Sequence, residues 1–236
     1  MTFRAVLIDL DGTLVDSVPD LASAANAMRV EFGLAPLRED VIATFVGKGM
    51  ENLVHRALSG SLEGLAGQER FAQALQTFRN AYHVVNGEKA RIFGGVIEGL
   101  QAMKAQGLRI AVVTNKPAEF TGPLLERIGL RAYFDAVISG DSVARKKPDP
   151  MPMLHACGLL GVEPVEAVVV GDSMNDASAA KAAGCRVLLV PYGYNEGRDV
   201  QAIESDGIVS SLLDAAQWIA QSQVLSRTTV VTPPSF

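Results

Sequence analysis

The feature that most constrains this chain lies at its start. Phe3 to Ile8 is an apolar run in which Ala5-Val6-Leu7-Ile8 shows no polar alternation. A run without alternation reads as a strand buried on both faces of a parallel sheet. It is closed by Asp9-Leu10-Asp11-Gly12-Thr13-Leu14-Val15-Asp16-Ser17. In an open α/β sheet, ligands bind outside the carboxyl ends of the strands. Two carboxylates at i and i+2 therefore stand where a ligand would sit, and they repel unless something positive lies between them. A hard divalent cation supplies that charge through oxygen ligands, and Mg²⁺ also binds phosphate.

Composition narrows the alternatives. With 48% hydrophobic and 20% charged residues, a chain of 236 residues is expected to bury one core and carry a modest insertion. The net charge of −5 comes with no basic block, which argues against nucleic acid and anionic membrane surfaces as partners. No apolar run approaches the ~20 residues of a membrane span, and the start, cut by Arg4 and Asp9, is too short for a signal peptide. Cys157 and Cys185, the two cysteines, lack metal-type spacing and fit a reducing cytoplasm. A monomer and a homodimer are both compatible with the sequence.

Beyond Asp16-Ser17-Val18-Pro19 the periodicity turns helical. Leu21, Ala24, Ala25, Met28 and Phe32 recur at three- and four-residue steps, and Gly33 stops the helix. Further helices are expected over 38–46, 50–58 and 69–84. The expected division is thus a helical insertion over 16–92, hinged near Val15–Pro19 and Val84–Phe93, and a core of 1–15 with 93–225. From Phe93, helices over 96–106, 116–128, 149–160 and 175–183 alternate with strands over 108–114, 136–138, 167–170 and 187–190. Ile208-Val209 reads as an edge strand and Leu212–Gln221 as a last amphipathic helix. The fold class is therefore α/β, a Rossmann-like three-layer core around a parallel sheet with an inserted helical domain. The Ser-, Thr- and Pro-rich end, residues 226–236 and the stretch leading to it from Ser222, reads as a loosely ordered tail in which Val230, Val231 and Phe236 have docking potential.

Three more strand ends carry groups suited to a phosphoryl dianion. The strand Ile110–Val113 runs into Thr114-Asn115-Lys116-Pro117, where a hydroxyl and an amide at a helix start are good donors to phosphate, although an ordinary N-cap looks the same. In Arg145-Lys146-Lys147-Pro148-Asp149-Pro150, Pro148 stiffens the chain after Lys147, and a lysine is a compact charge for phosphate or clustered carboxylates. In Gly171-Asp172-Ser173-Met174-Asn175-Asp176, acids at i and i+4 share one side of a helical turn. Taken alone, Asp176 is also what the N-terminus of a helix favours.

Four such segments in this order resemble the motifs of the haloacid dehalogenase-like superfamily of phosphotransferases. Asp9-x-Asp11-Gly12-Thr13-Leu14 is similar to its first motif, Thr114-Asn115 to the second, Lys147 before Pro148 to the third, and Gly171-Asp172-x-x-x-Asp176 to the fourth. The helical insertion is similar to the family's small cap. The resemblance implies Asp9 as a nucleophile that forms an aspartyl-phosphate, and Asp11 as general acid and base. It implies Thr114, Asn115 and Lys147 as phosphate ligands. Mg²⁺ would be held by Asp9, the Asp11 carbonyl and Asp172, with Asp176 acting through water or on Lys147. Because Asp11 is present, a phosphate ester fits better than the metal-free attack on carbon of the family's dehalogenases.

Substrate choice is expected in the insertion. Gly47-Lys48-Gly49, two glycines flanking a lysine ahead of a helix, suits an anion loop, and it suits a surface turn equally. With Asp16-Ser17, the segment resembles the phosphoglycolate phosphatase branch, which implies Gly47, Lys48 and Gly49 as contacts for the carboxylate of a small phosphorylated acid such as 2-phosphoglycolate. A sugar-phosphate mutase shares all four motifs, and a receiver-like phospho-acceptor clusters similar groups in about half the length. His55, His83 and His155 have no partner at ligand spacing and read as structural. Trp218, on the last helix, reads as a core cover.

Overall fold

The computed structural model describes residues 2–228, with side chains described through residue 224. Six strands form one parallel sheet: β1 (Ala5–Ile8), β4 (Arg109–Val113), β5 (Ala136–Ile138), β6 (Ala167–Gly171), β7 (Arg186–Leu189) and β8 (Gly207–Ile208), in the order β5-β4-β1-β6-β7-β8. β1 is central. Its residues Ala5–Ile8 pair with Arg109–Val112 on one side and Ala167–Val170 on the other. Each of its side chains is buried, which explains the lack of alternation. Val6 and Ile8 face a core layer with Val96, Leu100, Met103, Leu212 and Ile219, whereas Ala5 and Leu7 face Met153, Ala156, Ala177 and Ala180. The first layer comes from α5 (Val96–Ala105) and α9 (Leu212–Thr228), the second from α7 (Met151–Leu160) and α8 (Met174–Ala183). The result is the three-layer α/β arrangement expected from the alternation.

Between β1 and α5 the chain builds α1 (Val18–Glu31), α2 (Glu39–Ala43), α3 (Met50–Ser59) and α4 (Gln68–Val85). These helices bury a hydrophobic cluster of their own, with Met28, Phe45, Val54, Phe78 and Tyr82, to which α6 (Ala118–Arg127) lends Phe120. Two features here escaped the periodicity. Val15–Asp16 (β2) and Arg91–Ile92 (β3) pair antiparallel, so the two chain crossings into the insert form a short ladder. Two-residue strands carry no readable period. Beside them, the buried Asp20 carboxylate accepts the backbone N–H groups of Gly87, Lys89 and Ala90 at 2.9, 2.9 and 3.1 Å.

The C-terminal helix is longer than its sequence pattern suggested. α9 does not end at Gln221 but continues through Thr228, and Gln223 donates its side-chain amide to the Phe3 carbonyl at 3.3 Å. No Pro or Gly interrupts residues 212–228, and the prolines of the Thr- and Pro-rich end stand beyond them, at Pro233 and Pro234. Val230, Val231 and Phe236 lie outside the described residues. Among the described residues, no helix is long and apolar enough to cross a membrane.

Candidate active site

Every group singled out at a strand end lies at the carboxyl edge of the sheet, with β1 in the middle. After Asp9, whose N–H donates to the Val170 carbonyl at 3.0 Å, the chain turns tightly: Leu14 and Val15 both donate to the Leu10 carbonyl. Gly12 makes the turn possible. Its φ is +91°, and a Cβ there would lie 2.4 Å from Asp172 Oδ2. Thr13 Oγ1 donates to Asp172 Oδ1 at 3.3 Å, so the first loop holds the acid of the β6 end directly.

Three carboxylates converge. One oxygen each from Asp9, Asp172 and Asp176 lie within 4.8 Å of one another. The Lys147 ammonium meets them at 2.7 Å from Asp9 Oδ1 and 2.6 Å from Asp176 Oδ1, and its third donor takes the Val113 carbonyl at 2.7 Å. Asp176 spends its other oxygen on the start of α8, accepting from Ser173 Oγ at 2.7 Å and from Ser173 N at 3.2 Å. It therefore caps the helix and contacts Lys147 at once. Asp172 Oδ2 accepts the Tyr194 N–H at 2.7 Å.

The charges do not balance. Three clustered acids share one ammonium that is 2% exposed and pairs with two of them. Burial, with the Asp176 and Asp11 charges added, pushes the Asp9 carboxyl up to about 7 against the pull of Lys147. Burial followed by repulsion from Asp176 and Asp9 raises Asp172 well above the usual carboxylate range. Burial alone would lower Lys147, but Asp176 and Asp9 outweigh it and hold the ammonium raised. Asp9 Oδ1, though in ion-pair contact with Lys147, makes no hydrogen bond of ordinary geometry. Surplus negative charge, all-oxygen donors and an incompletely satisfied carboxylate oxygen are what a hard divalent cation fits.

Asp11 stands apart from that triangle. Its carboxylate accepts Ser17 Oγ at 2.5 Å and the Lys116 ammonium at 3.0 and 3.2 Å. It nevertheless lines the same cavity as Asp9, Thr114 and Asn115, whose remaining wall includes Leu21, Val46, Met50 and Phe78 from the insert. Asn115 is committed to structure: its amide N donates to the Gly47 and Lys147 carbonyls, and its Oδ1 accepts the Lys147 N–H, each at 2.9 Å. Asn115 thus ties the insert to the lysine loop. Lys146, the neighbour weighed against Lys147, points instead to Glu51 at 2.8 Å.

The carboxylate-contact role expected for the Lys48 side chain is not supported. Lys48 Nζ pairs with Glu196 Oε1 at 2.7 Å and lines a separate hollow with Asn52, His55 and Arg56, whereas Gly47 and Gly49 do line the cavity. The glycines let the loop backbone approach; the charged side chain finds a counter-ion on the far side. Four residues escaped the sequence reading: Lys116, Tyr82, Tyr194 and Glu196. Lys116 sits between Asn115 and Pro117 at a strand end, which was signal enough. Tyr192-Gly193-Tyr194-Asn195 follows β7, a fifth strand end that the same rule would have flagged.

Comparison with known proteins agrees with this arrangement. A family model described as haloacid dehalogenase-like hydrolase matches residues 6–190. A phosphoglycolate phosphatase of Nitrosospira multiformis is 49% identical over 222 residues, covering 94% of this chain and 98% of that protein. One from Thiobacillus denitrificans is 46% identical over the same coverage. Among solved structures, a "predicted phosphoglycolate phosphatase" from Haemophilus somnus superposes with a TM-score of 0.87 at 34% identity, over 92% of this chain and 98% of that one. The chain belongs to the haloacid dehalogenase-like hydrolase family.

Proposed function

We propose that this protein is a Mg²⁺-dependent phosphatase that hydrolyses 2-phosphoglycolate to glycolate and inorganic phosphate through an aspartyl-phosphate on Asp9. The observation that carries the reading is the convergence of the Asp9, Asp172 and Asp176 carboxylates, with the buried Lys147 ammonium paired to Asp9 and Asp176. The substrate comes from the relatives named phosphoglycolate phosphatase. Phosphoryl transfer asks a protein for positioning and charge compensation above all.

Asp9, the Asp11 carbonyl and Asp172 are the residues to hold the cation, which when bound supplies charge stabilisation for the phosphoryl oxygens. Asp9 attacks phosphorus in line while Lys147, fixed by Asp176, carries positive charge beside it. Thr114, buried at the end of β4, offers its hydroxyl to a phosphoryl oxygen. Asn115 holds the Lys147 loop and the Gly47 carbonyl rather than the substrate. Asp11 gives its proton to the leaving alkoxide and then takes one from the hydrolytic water. In this reading, residues 1–15 and 93–225 form the catalytic core, and 16–92 form a cap that excludes water. The buried free thiols of Cys157 and Cys185 suit a cytoplasmic setting.

The test is phosphate release from 2-phosphoglycolate and a panel of other esters, with Mg²⁺ and with a chelator. Turnover highest on 2-phosphoglycolate and abolished by chelation is expected; transfer within a hexose phosphate without phosphate release would assign a mutase instead. Asp9→Asn should remove turnover while the protein unfolds at an unchanged or higher temperature. Residual activity above about 1% of wild type excludes Asp9 as nucleophile.

A further inference from the structure

We propose that Lys116 and Tyr82 together form the seat for the carboxylate of the substrate. This rests on the reading of the protein as a phosphatase acting on a small phosphorylated acid. Lys116 lies at the end of β4 and is 4% exposed; Tyr82 lies on α4 and is 1% exposed. Both line the cavity that holds Asp9 and Asp11, one from the core and one from the insert.

The Tyr82 hydroxyl carries a donor with nowhere to go, and Lys116 has one donor beyond those it gives Asp11. An ammonium has three N–H donors, and the two Asp11 oxygens take at most two of those on Lys116. Among the described residues, no other oxygen accepts the third at ordinary geometry; the ammonium instead stands 4.9 Å from the centre of the Tyr82 ring. The Tyr82 hydroxyl is buried and makes no hydrogen bond of ordinary geometry, although the Lys116 charge is close enough to act on it. Burial pushes that phenol up to about 12, so it stays a donor throughout the working pH range. Buried donors without partners are rare and call for an explanation.

The surroundings select the missing acceptor. Leu21, Val46, Met50, Leu53 and Phe78 line the same cavity from the insert with apolar side chains, which leaves the Tyr82 hydroxyl as the polar side-chain group on that side. A carboxylate is acceptor-only and carries the charge that a buried ammonium attracts. Two donors from two elements match its two oxygens. The pairing with Glu196 takes Lys48 out of competition for this role.

The experiment compares kcat/KM for 2-phosphoglycolate with that for 2-hydroxyethyl phosphate, in which CH₂OH replaces the carboxylate. Wild type should prefer the acid by about 100-fold or more, since a site built around a charged partner rejects the analogue lacking it. Tyr82→Phe, which keeps the packed ring, should reduce that ratio about tenfold, mainly through KM; Lys116→Met should bring it near unity. Calorimetry with glycolate in the presence of inorganic phosphate should show binding to wild type and none to Lys116→Met. A ratio within about twofold of wild type in Tyr82→Phe and in any folded Lys116→Met overturns the seat while leaving the phosphatase reading intact. If Lys116→Met does not fold, Tyr82→Phe decides alone. Absence of 2-phosphoglycolate turnover by wild type overturns both.

Discussion

Gly12→Ala perturbs the site through a single methyl group. At φ +91° an alanine sits in the left-handed region, which costs an L-residue about 1–2 kcal/mol. Its Cβ would fall 2.4 Å from Asp172 Oδ2, 2.9 Å from Asp172 Cγ and 3.0 Å from Tyr194 Cδ2. Ordinary carbon contacts lie near ~3.5 Å, so the carboxylate must retreat by about 1 Å. That movement breaks the 2.7 Å bond from the Tyr194 N–H, and a hydrogen bond to a charged acceptor contributes about 1.5–3 kcal/mol. Together these predict a stability loss of about 3 kcal/mol, or roughly 6–12 °C in Tm for a chain of this size. A catalytic group displaced by 1 Å costs about 100-fold in rate. Calorimetric melting and a Mg²⁺ titration of phosphate release measure the two effects separately. Activity of Gly12→Ala within about fivefold of wild type, at an unchanged Mg²⁺ requirement, would refute this account.

Glu196→Gln should uncouple the insert from the β7 loop, because Glu196 accepts Arg56 at 2.5 Å and Lys48 at 2.7 Å, and Arg56 is 5% exposed. An amide keeps one acceptor, so a loss of about 1–2 kcal/mol is expected, read as a roughly five- to thirtyfold rise in KM for 2-phosphoglycolate with kcat little changed. Asp20→Asn should lower stability by about 2–3 kcal/mol in chemical denaturation, since an amide cannot accept from all three N–H groups that the carboxylate takes. In chelator, Asp9 holds its proton up to about 7 when folded and loses it near 3.8 when unfolded. Native stability therefore falls as pH rises between those values. The Tm of Asp9→Asn relative to wild type should accordingly be higher at about pH 8 than at about pH 5, and Mg²⁺ should raise the wild-type Tm more at the higher pH; equal differences at both would exclude a raised Asp9.

The chemistry at each strand end was legible because it is local. An unalternating Ala5–Ile8 specifies a doubly buried strand, and acids spaced by two and by four residues specify their own repulsion. The helical period of α1 and α4, and the β-α alternation after Phe93, likewise need only neighbours in the chain. What no local pattern carries is which lysine faces which acid. Lys48, Lys116, Lys146 and Lys147 are equivalent by composition, yet they end on Glu196, Asp11, Glu51 and the Asp9–Asp176 pair respectively. Those partners lie far away along the chain and become neighbours only when β1, β4 and β6 align and the insert folds back over their ends. Side-chain pairing energy depends on distance in space, and burial multiplies it by excluding water. The charges of this protein are written in its sequence; their partners are decided by the fold.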